Sequence, residues 1–152
     1  MMDVKGLIDA ASQLFNEGKY AEVIEKLEQA NKITHESTPI SEQIDIQSGL
    51  GRCYFEQGIK TKDEDKANKL FKKAVEYYQQ WLGLTKQLTD EHNSIQQKIW
   101  IQTWLGRCYF EQAKKSENSS RTKEFSKYAR EYLENADKPI SVSYTHLRAH
   151  ET

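Results

Sequence analysis

Arg52 and Arg107 hold the positions in this chain that could do the most chemistry, because each has a phenylalanine three residues on and a glutamate four on: Phe55 with Glu56, Phe110 with Glu111. On a helix, spacings of three and four bring side chains to one face. A guanidinium fork beside an aromatic ring can read a carboxylate or a peptide carbonyl through paired hydrogen bonds. The bland alternative is a solvated Arg–Glu pair worth roughly a few tenths of a kcal/mol, with Arg first being the weaker order. Catalytic constellations are missing from the sequence. There is no G-x-S-x-G, no H-E-x-x-H and no Gly-rich loop ending in Gly-Lys-Ser or Gly-Lys-Thr. Cys53 and Cys108 lie outside any C-x-x-C, which points to buried apolar thiols. His35 and His92 stand alone at helix junctions, and His146 with His150 and Glu151 lacks a further ligand, so no metal site is expected. The chain reads as non-enzymatic, with no cofactor.

What positions the arginines is a repeat. The octapeptide Leu-Gly-Arg-Cys-Tyr-Phe-Glu-Gln occurs at Leu50–Gln57 and again at Leu105–Gln112. A weaker copy places Ala10-Ala11, Leu14-Phe15 and Gly18 where Leu50-Gly51, Tyr54-Phe55 and Gly58 fall. Downstream of each copy comes a small-large-small stripe at helical spacing: Val23, Leu27, Ala30; Ala67, Phe71, Ala74; Ala129, Leu133, Ala136. Each copy is thus a first helix and each stripe a second, with Gly or Ala on one helix receiving a bulky side chain from the other.

Terminal signals place six helices at 3–17, 20–34, 39–58, 63–89, 94–115 and 121–137. Thr61 with Glu64 and Ser94 with Gln97 form capping boxes, and Thr38-Pro39 opens the third helix. The interval between aligned phenylalanines grows from 40 residues (Phe15 to Phe55) to 55 (Phe55 to Phe110). On this alignment the gap from Phe to the second-helix stripe also grows, in steps near whole helical turns of about 3.6 residues.

The pattern resembles the tetratricopeptide repeat, on Leu50-Gly51, Tyr54, Gly58, Ala67, Phe71 and Ala74, and on Leu105-Gly106, Tyr109, Ala129, Leu133 and Ala136. The intervals exceed that family's period of about 34 residues. The resemblance spans roughly residues 4 to 138 and implies an all-α, right-handed α-solenoid of about three antiparallel helix-turn-helix pairs. It also implies a groove lined by the first helix of each pair. Carried onto this chain, its partner-binding residues are Ser12 and Phe15; Ser48, Arg52, Phe55 and Glu56; Trp100, Thr103, Arg107, Phe110 and Glu111. The family's carboxylate clamp for chaperone tails is set aside, since its Lys, Asn and Arg positions hold Ile8, Ser12, Gly49, Trp100 and Trp104. Trp104 is expected in the core.

Composition narrows the partner. Lys and Arg number 22 against 23 Asp and Glu, a net charge of −1, so no strong field draws nucleic acid or anionic lipid. No apolar run reaches the ~20 residues of a membrane span. A cytoplasmic module binding a protein or peptide is expected, its oligomeric state open; the alternative is an accessory domain of a larger enzyme or signalling protein, docking a neighbouring domain. After a repeat domain over 1–138, residues 139–152 break the helical pattern and resemble translated cloning or adapter sequence. They are expected to form a disordered tail on a truncated chain.

Overall fold

A computed structural model describes residues 2–151, with side chains to Ala136. Its elements are α1 (Val4–Asn16), α2 (Tyr20–Ile33), α3 (Ile40–Lys60), α4 (Glu64–Leu84), a short 3-10 turn (Thr85–Gln87), α5 (Glu91–Lys115) and α6 (Ser119–Glu151). Among the described residues there is no strand, so the all-α expectation holds. The expected tail over 139–152 lies outside the described side chains.

Local chemistry sets the helix ends. Asp3 caps α1 by accepting from the Gly6 amide at 2.8 Å. At its other end Gly18 has φ 75. Its amide bonds Phe15 O at 2.9 Å, and the Lys19 amide bonds Leu14 O at 3.0 Å. That is a Schellman stop, which favours Gly at the left-handed position. Asp63, rather than the expected Thr61, accepts from the Lys66 amide at the start of α4, as Asn118 does from the Arg121 amide at the start of α6. The Thr61 hydroxyl donates back to the Gln57 carbonyl at the end of α3. The expected box at Ser94 does not start α5. Asp90, in extended backbone, captures the Asn93 amide at 3.1 Å and begins the helix earlier. The Ser94 hydroxyl instead donates to the Thr85 carbonyl, in the 3-10 turn where α4 had been expected to continue.

The chain divides into two compact units, Met1–Leu84 and Thr85–Thr152. In the first, α1 packs on α2, α2 on α3 and α3 on α4, with α1 also touching α3. Its core contains Leu27, Ala30, Ile46, Leu50, Phe55, Phe71, Ala74 and Tyr78. In the second, α5 packs along α6, over Leu105, Gly106 and Ala129.

Glycines mark where the helices close on each other. A methyl on Gly51 would come within 2.5 Å of the Tyr78 ring, and one on Gly58 within 2.8 Å of the Phe71 ring. Because position 51 meets 78 and position 58 meets 71, α3 and α4 run antiparallel. A methyl on Gly49 would meet Leu27 of α2, and one on Gly106 would meet Leu133 of α6. The missing side chains are what let large ones seat.

These contacts correct the alignment of the second helices. Gly51 meets Tyr78 while Gly106 meets Leu133, the same separation along the chain in both hairpins. Tyr54 stacks on Tyr77 as Tyr109 stacks on Tyr132. The α3–α4 link (Lys60 to Glu64) and the α5–α6 link (Lys115 to Ser119) are also equal. One shift of 55 residues, Phe55 to Phe110, therefore relates both helices of the hairpins. Leu133 corresponds to Tyr78 rather than Phe71, and Ala129 to Ala74 rather than Ala67. The counterpart of Phe71 is Ser126. Counting from Ala129 as the first member of the stripe displaced the register by two helical turns, which a 3.6-residue periodicity cannot detect.

The two notches differ in what would have to yield. Gly51→Ala gains roughly 1 kcal/mol of helix propensity but forces a buried ring aside, at about 1–3 kcal/mol. Gly106→Ala gains the same, against the side chain of Leu133, which is 42% exposed and can shift, and the Ala129 carbonyl oxygen at 3.3 Å, which must give slightly. Denaturant unfolding should show Gly51→Ala less stable than the parent, and Gly106→Ala losing less than Gly51→Ala. Equal losses in both variants would mean that Leu133 is as tightly held as Tyr78.

Candidate functional site

The candidate surface comprises the outward sides of α1 and α3 in the first unit and of α5 in the second, each considered by itself. On α1, Ser12 is exposed and Phe15 half-buried. Arg52 on α3 lays its guanidinium over the Phe15 ring, 5.4 Å from the centroid. Its Nε donates to Glu56 Oε1 at 3.2 Å. Phe15 tilts against Tyr20, and the Lys60 ammonium sits 4.8 Å over that second ring. The result is a line of cation, ring, ring and cation across three helices. Ser48 is half-buried, and its hydroxyl donates to the Asp45 carbonyl at 3.4 Å.

Phe55 takes a different place from the one its sequence position implied. It is 0% exposed and meets Phe71 edge-on, with centroids 5.9 Å apart. It is core, because the Phe71 ring that fills the Gly58 notch also covers it. Phe110, in the identical octapeptide, is 51% exposed. Its counterpart of Gly58 is Ala113, and its counterpart of Phe71 is Ser126. With a methyl in the notch and a hydroxymethyl opposite, no ring stands at the α6 position equivalent to Phe71.

The α5 face is therefore the more open one. Trp100 is 47% exposed, and Arg107 is exposed on the same helix. Arg107 stacks its guanidinium 4.4 Å over Trp104, which is half-buried rather than core. The Lys114 ammonium lies 5.1 Å over the Phe110 ring and bridges Glu111 at 3.1 Å. Thr103 turns its hydroxyl back to the Ile99 carbonyl at 2.8 Å, so it adds a methyl more than a donor. Arg52 and Arg107 thus share a sequence context but differ in stacking partner: Phe15 from a neighbouring helix for one, Trp104 from its own helix for the other. Two participants went unread in the sequence, Lys60 and Lys114. The i, i+4 spacing of Phe110 and Lys114 carried the second; the first needed the fold.

Nothing in these faces resembles an activated nucleophile. Burial pushes the Cys53 thiol up to about 12, against a smaller opposing pull from Arg52, and raises Cys108 as well. Both remain neutral thiols near pH 7. Burial also lifts Tyr109, in its stack with Tyr132, to about 12. Among the described residues, no group of three or more His, Cys, Asp and Glu is placed to hold a metal. No helix there is long and apolar enough to cross a membrane.

Identical phenylalanines in unequal surroundings should respond unequally. Phe55→Ala is expected to cost about 3–5 kcal/mol, as for buried rings. Phe110→Ala should cost less than about 1 kcal/mol. Equilibrium unfolding of the two variants measures the difference, and equal losses would place Phe110 in a core.

Compared with known proteins, the chain matches no family model, no curated protein and no solved structure.

Proposed function

We propose that the chain is a non-catalytic protein-interaction module of tetratricopeptide-like design, taking a peptide or helix on the outward faces of its first helices. The observation that carries the reading is the α5 face. There Trp100 and Phe110 stand about half exposed beside Arg107 and Lys114. Aromatic area combined with guanidinium is the composition of binding hot spots. Exposed rings at this density are not needed to hold α5 against α6, since Leu105, Gly106 and Tyr109 serve that contact. Partner carboxylates and backbone carbonyls suit the two cations, while apolar side chains suit the rings. Ser12, Phe15, Ser48, Arg52 and Glu56 are the corresponding residues of the first unit, and Phe55 leaves the set because it is buried. The same reading carries a right-handed α-solenoid of three helical pairs and a cytoplasmic setting. The near-balanced charge disfavours nucleic acid.

A peptide selected on the chain from a display library supplies the probe. Arg107→Ala with Phe110→Ala should weaken its binding by about 1–3 kcal/mol per interaction lost while leaving thermal unfolding nearly unchanged. Calorimetric titration of parent and variant decides. Undiminished affinity would remove the α5 face from the site.

A further inference from the structure

The outward stripe of α5 runs Trp100, Thr103, Arg107, Phe110, Lys114, in steps of three and four residues along one side of the helix. One 55-residue shift earlier, the same positions of α3 hold Asp45, Ser48, Arg52, Phe55 and Ile59. The sister stripes differ in charge. On α3 one carboxylate offsets one guanidinium, while on α5 two cations stand with no carboxylate among the five. Glu56 and Glu111 flank the two stripes alike. The α5 stripe is thus more positive than its sister by two charges, in a chain whose net charge is −1.

Each member of the stripe offers a defined chemistry. Trp100 and Phe110 stand about half exposed, and Arg107 and Lys114 are exposed. Both cations only donate, so whatever meets them must accept. Lys114 bridges Glu111 at 3.1 Å, which uses one of the three N–H groups of its ammonium. Thr103 spends its hydroxyl on the Ile99 carbonyl, so the stripe is low and apolar between Trp100 and Arg107.

Spacing selects the partner. Arg107 and Lys114 are seven residues apart, about 10 Å along the axis, with Phe110 between them. Carboxylates on one face of an extended strand recur at about 7 or 14 Å, so a strand lying along α5 would meet one cation and miss the other. Acidic residues seven apart on a second helix recur at the same distance as the cations. Alternating steps of three and four are also the spacing at which two helices keep their seams facing. Nucleic acid fits less well, because it is held through several phosphate contacts and this stripe supplies two cations beside Glu111.

On the reading that α5 is the binding face, we infer that its partner is an acidic amphipathic helix, with carboxylates seven residues apart on Arg107 and Lys114 and apolar side chains alternating with them, against Phe110 and in the low place beside Trp100.

Fluorescence anisotropy of end-labelled helical peptides, titrated with the full chain at low and at high salt, tests the partner. The acidic peptide is three copies of Glu-Ala-Ala-Leu-Glu-Ala-Gln; a basic one has each Glu replaced by Lys, and a third has each Leu of the acidic peptide replaced by Ala. Saturable binding of the acidic peptide is expected, at least roughly tenfold tighter than of either of the others, and weaker at high salt. Arg107→Gln with Lys114→Gln, its fold checked by circular dichroism, should weaken that binding at least roughly tenfold. Should the double variant fail to fold, Lys114→Gln alone decides, with a loss of at least roughly threefold expected. The acidic helix is overturned if the basic or the Leu-free peptide binds as tightly, if the glutamine variant binds like the parent, or if an oligothymidine binds more tightly than the acidic peptide. Where the display-selected peptide loses affinity in Arg107→Ala with Phe110→Ala but the acidic peptide has no preference over the basic one, the face stands and the acidic helix falls. Where the selected peptide binds that variant undiminished, both fall.

Discussion

The fit of a large side chain into the gap left by a glycine is the constraint on which the rest of this structure depends. Gly51 under the Tyr78 ring and Gly58 under the Phe71 ring bring α3 and α4 close enough for those rings to be buried at once by both helices. Close approach then stacks Tyr54 on Tyr77 with the planes 5° apart, and sets Phe55 edge-on to Phe71. Each ring is held by the same short distance that the missing side chain allows. Gly49 performs the corresponding task toward α2, where Leu27 enters. Three glycines on one helix therefore make α3 the central element of its unit. Its outward side is what remains for Arg52 and Glu56.

A duplicated octapeptide has been put to two uses. In α3 its phenylalanine is core; in α5 it is surface. The eight residues are the same, and the difference lies sixteen residues downstream of each phenylalanine, where Phe71 in one hairpin is replaced by Ser126 in the other. Gly58 and Ala113 change in step with them. A glycine is needed only where a ring must enter, and the methyl of Ala113 occupies the space that such a ring would take. Loss of the covering ring uncovers Phe110, and the i, i+4 neighbour Lys114 settles over it. In this way two coupled packing differences turn a core position into part of a cation–aromatic surface.

Both cysteines, aligned in the repeat, lie on the buried side of their helices, and burial keeps them protonated. Polar groups inside the first unit are mostly partnered: the Tyr54 hydroxyl donates to Glu28, and Gln47 to Asn31.

The sequence by itself determined that the chain is helical, where five of the six helices begin and end to within a few residues, and which residues form notches. Those properties depend on spacing, caps and side-chain size over one or two turns, and each is written locally: Asp3, Gly18 and Asp63 act on amides within a few residues. Tertiary structure alone decided the register of the second helices, because a stripe slipped by two turns presents nearly the same face and leaves the periodicity unchanged. It also decided that Phe55 is covered and Phe110 is not, since burial is a property of what a partner helix brings. Arg52 and Arg107 were legible as a pair, but their stacking on Phe15 and Trp104 was not. A cation chooses among the rings within its reach, and reach is set by how the helices meet.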